Sequence, residues 1–352
     1  MDITPYLKLL ADKLGSDLFF TAGSPVKIKI EGVVSSVGKT VLTGDLTRAA
    51  AYGLMSEKQI RRFEDTMECD FAIALQDKSA RFRVNVFRQR GEVAMVLRRI
   101  PSKIPTIDEL GLPEILAEIV MHKRGLILMV GATGSGKSTT LAAMVNERNL
   151  RMAGHILTIE DPIEFSHPNL KSIVNQREIG VDTLSYHAAL KSSLREAPDV
   201  ILIGEIRDRE TMEAALELCN TGHLCMSTLH ANNANQAMER VINLFPQDLH
   251  KQLFLDLSLN VRSVISQRLV QGIDGKRVAA IEIMINTPHV ADLILKGNLD
   301  GIKEAMSGSG MKGMQTFDSA LYALYKEGRI DLEEALANAD SRTNLEAKIN
   351  FG

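Results

Sequence analysis

Nine residues constrain this chain more than any others: GATGSGKST, Gly131 to Thr139. They fit the pattern G-x-x-x-x-G-K-[ST]. The apolar run GLILMV (125–130) precedes them and a helical pattern follows. Glycines at these spacings let the backbone wrap its N–H groups around a phosphate chain, and a helix N-terminus behind them favours negative charge. Lys137 is placed to reach β- and γ-phosphates, and the Ser138 hydroxyl to hold Mg²⁺. Thr133, Gly134, Ser135, Gly136 and Thr139 complete the cradle. Such a loop joins a strand to a helix in a parallel sheet, so an α/β fold is expected around it.

The surrounding pattern agrees. HILTIE (155–160), DVILIGEI (199–206) and HLCMSTLH (223–230) are short apolar runs between helical stretches. Strands buried on both faces of a parallel sheet read this way. From Gln247 onward the chain reads as mostly helical. VAAIEIMI (278–285) is a strand-like interruption, and SGSGMKG (307–313) is a glycine-rich loop.

The first hundred residues read differently, as a small α+β domain. A helix is expected from Asp2 to Leu14, stopping at Gly15. VKIKI (26–30) alternates at period two, and Ser56 can cap a helix running to Glu68. CDFAIAL (69–75), RFRVNVF (81–87) and EVAMVLRRI (92–100) are strand-like. PSKIPTIDELGLP (101–113) carries three prolines and reads as a connector. The expected organisation is therefore 1–100, a linker at 101–113, and 114–352.

Composition narrows the class. Of 352 residues, 45% are apolar and 24% charged, which is ordinary for a globular protein. The net charge of -3 argues against an obligate nucleic-acid coat. Charge is uneven, with +4 in the first hundred residues and -7 in the rest. No apolar run is long enough to span a bilayer, and the N-terminus lacks a signal-peptide pattern. Cys69, Cys219 and Cys225 form no C-x-x-C pair. They suggest buried thiols in a reducing cytoplasm, not a disulfide framework or a four-cysteine zinc site.

Three further segments carry chemistry. DVILIGEIRD (199–208) is an apolar strand leading to Glu205, the placement Mg²⁺ coordination needs. LTIEDPIEF (157–165) ends a strand with Glu160, Asp161 and Glu164, any of which could polarise an attacking water. Pro162 keeps this segment out of a helix, and a solvated acidic loop is the alternative reading. His223 and His230 bracket a strand, either as structural side chains or as sensors of a γ-phosphate in the same crevice. In RFRVNVFRQR, Arg81 and Arg83 share one strand face. They suit a solvated face, a nucleic-acid surface, or arginines offered to a neighbouring subunit's nucleotide.

Together the phosphate loop, TIEDPIEF, the GEIRD strand end and TGHLCMSTLHA resemble the secretion-ATPase superfamily. Its members are ring-forming motors of type IV pili and of type II and IV secretion. The likeness runs from SDLFFTAGSP (16–25) and ARFRVNVF (80–87) to GMQTFDSALYALY (313–325). It is strongest to the pilus retraction group, PilT and PilU. LHANNANQAMERVINLFP (229–246), and GATGSGKST where PilT usually has GPTGSGKST, look closer to PilU.

The resemblance implies a PAS-like N-terminal domain and a RecA-like ATPase domain with a helical C-terminal part. Lys137, Ser138 and Thr139 would hold ATP and Mg²⁺. Glu164 matches the water-activating glutamate, Glu205 the Walker B glutamate, and His223 and His230 the histidine box. Arg83 and Arg98 match N-terminal-domain arginines that approach the nucleotide. A homo-hexamer at the cytoplasmic face of the inner membrane is implied. A pilus platform protein and a PilT-type paralogue would be its partners. The tetracysteine element of assembly ATPases is absent. The short retraction motif AIRNLI of PilT corresponds to HVADLI (289–294), with Ala291 replacing the arginine. That substitution fits an accessory motor. A nucleic-acid translocase and a non-hydrolysing scaffold are the competing classes.

Overall fold

The computed structural model describes all residues except Glu31, Lys78, Ser102, Ser309 and Gly352. Ser102 in the connector and Ser309 in the glycine-rich loop thus lie outside the described residues. The chain divides into two compact units. One is Met1–Lys103 with Glu164–Ser166, and the other is Ile104–Ile163 with His167–Gly352.

The first unit runs α1 (Thr4–Asp12), β1 (Asp17–Phe20), β2 (Pro25–Ile30), β3 (Val33–Val41), α2 (Gly44–Tyr52), α3 (Glu57–Thr66), β4 (Glu68–Ala74), β5 (Arg81–Gln89) and β6 (Glu92–Ile100). Among the described residues its strands form one antiparallel sheet in the order β3-β2-β1-β6-β5-β4. This is the PAS-like α+β unit expected. Ser56 caps α3 through a reciprocal capping box with Gln59, which satisfies two end groups at once. On β5, Phe82, Val84 and Val86 are fully buried. Each such side chain contributes about 1.5–3 kcal/mol on leaving water.

The second unit runs α4 (Ile115–Ile119), β7 (Gly125–Val130), α5 (Lys137–Arg151), β8 (Gly154–Glu160), β9 (Ser172–Glu178), α6 (Tyr186–Ser193), β10 (Val200–Ile203), α7 (Arg209–Asn220), β11 (Leu224–Leu229), α8 (Ala234–Asn243), α9 (His250–Asn260), β12 (Val261–Gln271) and β13 (Arg277–Ile285). The helices α10 (Pro288–Leu295), α11 (Asp300–Gly308), α12 (Phe317–Lys326), α13 (Leu332–Ala337) and α14 (Arg342–Phe351) follow. The sheet order is β13-β12-β7-β11-β10-β8-β9. All neighbours are parallel except β13, which returns antiparallel along β12. Every residue of β7 is buried. Leu126, Leu128 and Val130 enter one core, Ile127 and Met129 the other. The phosphate loop thus leaves the middle of the sheet at its C-terminal edge, where ligands of open α/β sheets bind.

The structure corrects two expectations. The region after Gln247, expected to hold one strand, holds two among the described residues. The second, β12, is VRSVISQRLVQ, whose serines and glutamine mask its burial. Those polar groups are paired inside: Ser263 Oγ donates to the Met284 carbonyl at 2.8 Å, Ser266 Oγ to Glu282 at 3.2 Å, and Thr140 Oγ1 to Gln267 at 2.7 Å. The connector also packs more than expected, because Ile107 and Leu112 are buried in the second unit's core.

His167, in the loop between β8 and β9, is only 9% exposed and its Nδ1 has no partner among the described residues. Burial pushes its pKa from 6.5 down to about 4. The unfolded chain therefore binds this proton more readily between those values, and stability falls as pH drops through that window. The loss should approach about 3 kcal/mol by pH 4. Urea midpoints measured from pH 7 to pH 4 should show it, and the slope should flatten in His167→Leu.

Candidate active site

Gly131, Gly134 and Gly136 have φ of 149°, 80° and 88°, a region that side chains resist. A Cβ on Gly131 would lie 2.5 Å from the Gln267 carbonyl oxygen and 2.6 Å from Ser135 Oγ. The α5 N-terminus carries no side-chain cap, so its end N–H groups suit an anion. Ser135 Oγ is buried without a partner among the described residues. Lys137 Nζ donates to the carbonyls of Gly131 at 2.8 Å and Ala132 at 2.9 Å. Burial pushes its pKa below the usual lysine value, and the charge of Glu205 opposes that shift. An uncapped helix, an orphan hydroxyl and a lysine on one glycine frame fit a nucleotide's phosphates.

Glu205 lies two residues beyond β10. Gly204 N–H donates to the Ile159 carbonyl at 2.8 Å, and Thr228 Oγ1 to the Gly204 carbonyl at 2.7 Å. Both neighbouring strands therefore fix the backbone that carries the acid. The carboxylate is largely buried and meets His230 Nε2 at 3.1 Å and Arg207 at 2.7 Å. Ser138 is the second residue of α5, directly after Lys137. Mg²⁺ commonly takes one or two carboxylates plus substrate phosphates, so Ser138 and Glu205 are a fitting pair.

The acidic segment splits. Glu160 is buried and accepts from Thr158 Oγ1 at 2.6 Å and Gln176 Nε2 at 3.2 Å. Asp161 and Glu164 are exposed on the following loop. The Tyr186 phenol sits over Gly204, whose added Cβ would lie 2.7 Å from its oxygen. Burial first, then the charges of Asp161, Glu160 and Glu205, push this phenol up, so it stays a neutral donor.

The two histidines are separated by the strand they bracket, so the sensor reading suits His230 and the structural reading suits His223. His230 follows the C-terminal end of β11 and joins Glu205. His223 precedes its N-terminal end, where Nδ1 meets Thr221 Oγ1 and the Leu218 carbonyl, each at 3.1 Å. A six-residue strand spans roughly 20 Å, so His223 lies at the opposite sheet edge within the subunit. Glu164, Arg83 and Arg98 belong to the first unit. Arg83 and Arg98 stand opposite each other on β5 and β6, held by Asp70 at 3.7 Å and Asp17 at 2.8 Å.

Sequence reading missed Arg207, Tyr186 and Gln267. Arg207 could have been found, since it lies within GEIRD. Tyr186 and Gln267 carry no pattern of their own, and only strand order brings them near.

Residues 15–316 match the family described as Type II/IV secretion system protein. The chain is 53% identical to the type IV pilus ATPase PilU of Pseudomonas aeruginosa, covering 100% of this chain and 92% of that protein. It is 44% identical to the PilT retraction ATPase of the same organism, over 98% of this chain and 100% of the relative. The crystal structure of the pilus retraction motor PilT with bound ADP superposes with a TM-score of 0.92 at 41% identity, covering 98% of this chain and 99% of that one. The chain belongs to the type II/IV secretion system family. Within it, the chain is an ATPase of the pilus retraction group that holds PilT and PilU. Among the described residues, no helix is long and apolar enough to cross a membrane.

Proposed function

We propose that the chain is an accessory retraction motor. It works as a homo-hexamer in the cytoplasm, at the inner-membrane face. It acts beside a PilT-type paralogue on an inner-membrane platform protein. The observation that carries this reading is identity of 53% to PilU against 44% to PilT. Ala291 in HVADLI, where the retraction motif has arginine, agrees with it.

These roles rest on the matching motifs. Thr133 to Thr139 cradle the phosphates, and Lys137 neutralises their charge. Ser138 and Glu205 would hold Mg²⁺, which when bound draws charge from the β- and γ-oxygens. Glu164 takes the proton of the attacking water. His230 orients Glu205. Arg83 and Arg98 are offered by the N-terminal domain, residues 1–100, joined through 101–113 to the ATPase domain, 114–352. His223 takes no part in the chemistry of its own subunit.

Retraction of labelled pili tests this reading, with the PilT-type paralogue active, catalytically dead or deleted. Retraction is expected beside the dead paralogue and not after its deletion. Unchanged retraction after deletion would make this chain a primary motor. Failure beside the dead paralogue would favour the scaffold reading.

A further inference from the structure

A cavity of about 590 Å³ adjoins the phosphate loop on the side of His230. Gly131 and Ala132 form one wall, the same residues whose carbonyls receive Lys137. Helix α8 forms the opposite wall with Gln236, Arg240 and Asn243. Their spacing of four and three residues places them on one stripe. Ala237, Met238, Val241 and Ile242 on the other side of α8 are buried in the core.

The wall is rich in donors. Among the described residues, Arg240 has no ion pair or side-chain hydrogen bond, although Glu239 beside it also lines the cavity. The Asn232 N–H donates to Gln236 Oε1 at 3.2 Å, and the Gln236 amino group has no partner among the described residues. Asn243 and His230 add an amide and an imidazole. A planar guanidinium with amide donors is suited to a tetrahedral oxyanion. The cavity also begins where the phosphate loop begins, beside Glu205 and its partner His230.

We propose that this cavity is a holding site for inorganic phosphate leaving the ATPase centre, with Arg240 as its anchoring cation. It rests on the placement of Lys137 and Glu205 at the γ-phosphate end of the site. After cleavage the free phosphate moves past His230 and exchanges the Lys137 contact for the Arg240 guanidinium. ADP remains on the loop. Phosphate departure is thereby separated from ADP departure.

The test is inhibition of steady-state ATP hydrolysis by added inorganic phosphate at constant ionic strength, read by ADP formation. The full-length protein is compared with Arg240→Gln, Arg240→Lys and Asn243→Asp. Losing one charge-assisted partner should raise the half-inhibiting phosphate concentration about tenfold in R240Q. The ATP KM should stay unchanged, and R240K should recover most of the sensitivity. N243D places a carboxylate on the same wall and should weaken phosphate inhibition, so it tests the site even if R240Q folds poorly. Equal phosphate sensitivity in wild type, R240Q and N243D overturns the proposal while leaving the ATPase intact. A phosphate shift accompanied by a raised ATP KM, or by a change of assembly mass, also overturns it. Those results would place Arg240 on the nucleotide or at a subunit contact. A Lys137→Ala protein that still turns over would instead overturn the site assignment beneath the proposal.

Discussion

Lys137→Ala should lower ATP hydrolysis at least about a hundredfold, the scale on which one preorganised donor to developing charge acts. The expectation comes from where the ammonium is held. It is half-buried at the mouth of the glycine frame and, among the described residues, bonded only to carbonyls of its own loop, at 2.8 and 2.9 Å. Those contacts exchange readily for phosphate oxygens, because an ammonium gains more from a charged acceptor than from a neutral one. Folding should barely notice the change. Two hydrogen bonds are lost, each worth roughly 1 kcal/mol net. The burial that disfavours the charged lysine is relieved at the same time. The wild type and K137A should therefore melt together while only the wild type produces ADP. Turnover within tenfold of wild type would show that the charge is supplied elsewhere.

The phosphate loop was legible because its signal is local. Glycines at fixed spacing, a buried strand before and a helix after are all contiguous in sequence, and they fold as read. The alternation in RFRVNVF likewise returned a strand with one buried face. What could not be read were contacts made by strand order. Gln267 approaches Gly131 and Gly136 because β12 pairs with β7. Its strand is disguised by polar residues that are satisfied only in the folded sheet. Tyr186 reaches Gly204 for the same kind of reason, across β8 and β10. The histidine box divides, because His223 and His230 bracket one strand and a strand sends its ends to opposite edges of a sheet. Motif membership says which residues travel together in sequence, and strand geometry says which can meet a ligand.

Glu205→Gln should separate binding from turnover. The substitution keeps length and hydrogen-bonding capacity but removes the charge that His230 and Arg207 now share. The backbone at this point is fixed by Ile159 and Thr228, so the side chain should stay in place and ATP should still bind. Loss of the carboxylate should reduce kcat by about a hundredfold or more, as expected for an electrostatic group preorganised at a phosphoryl centre. A second consequence follows from Lys137. The Glu205 charge raises the lysine pKa against the burial that lowers it. Without that charge the ammonium is less favoured, so its pKa falls further. ATP binding by E205Q should therefore weaken at a lower pH on the alkaline side than in wild type. Binding titrations across the alkaline range measure this directly. A kcat within tenfold of wild type would remove Glu205 from the chemistry. An unmoved alkaline limb would show that the charges of Glu205 and Lys137 do not act on each other.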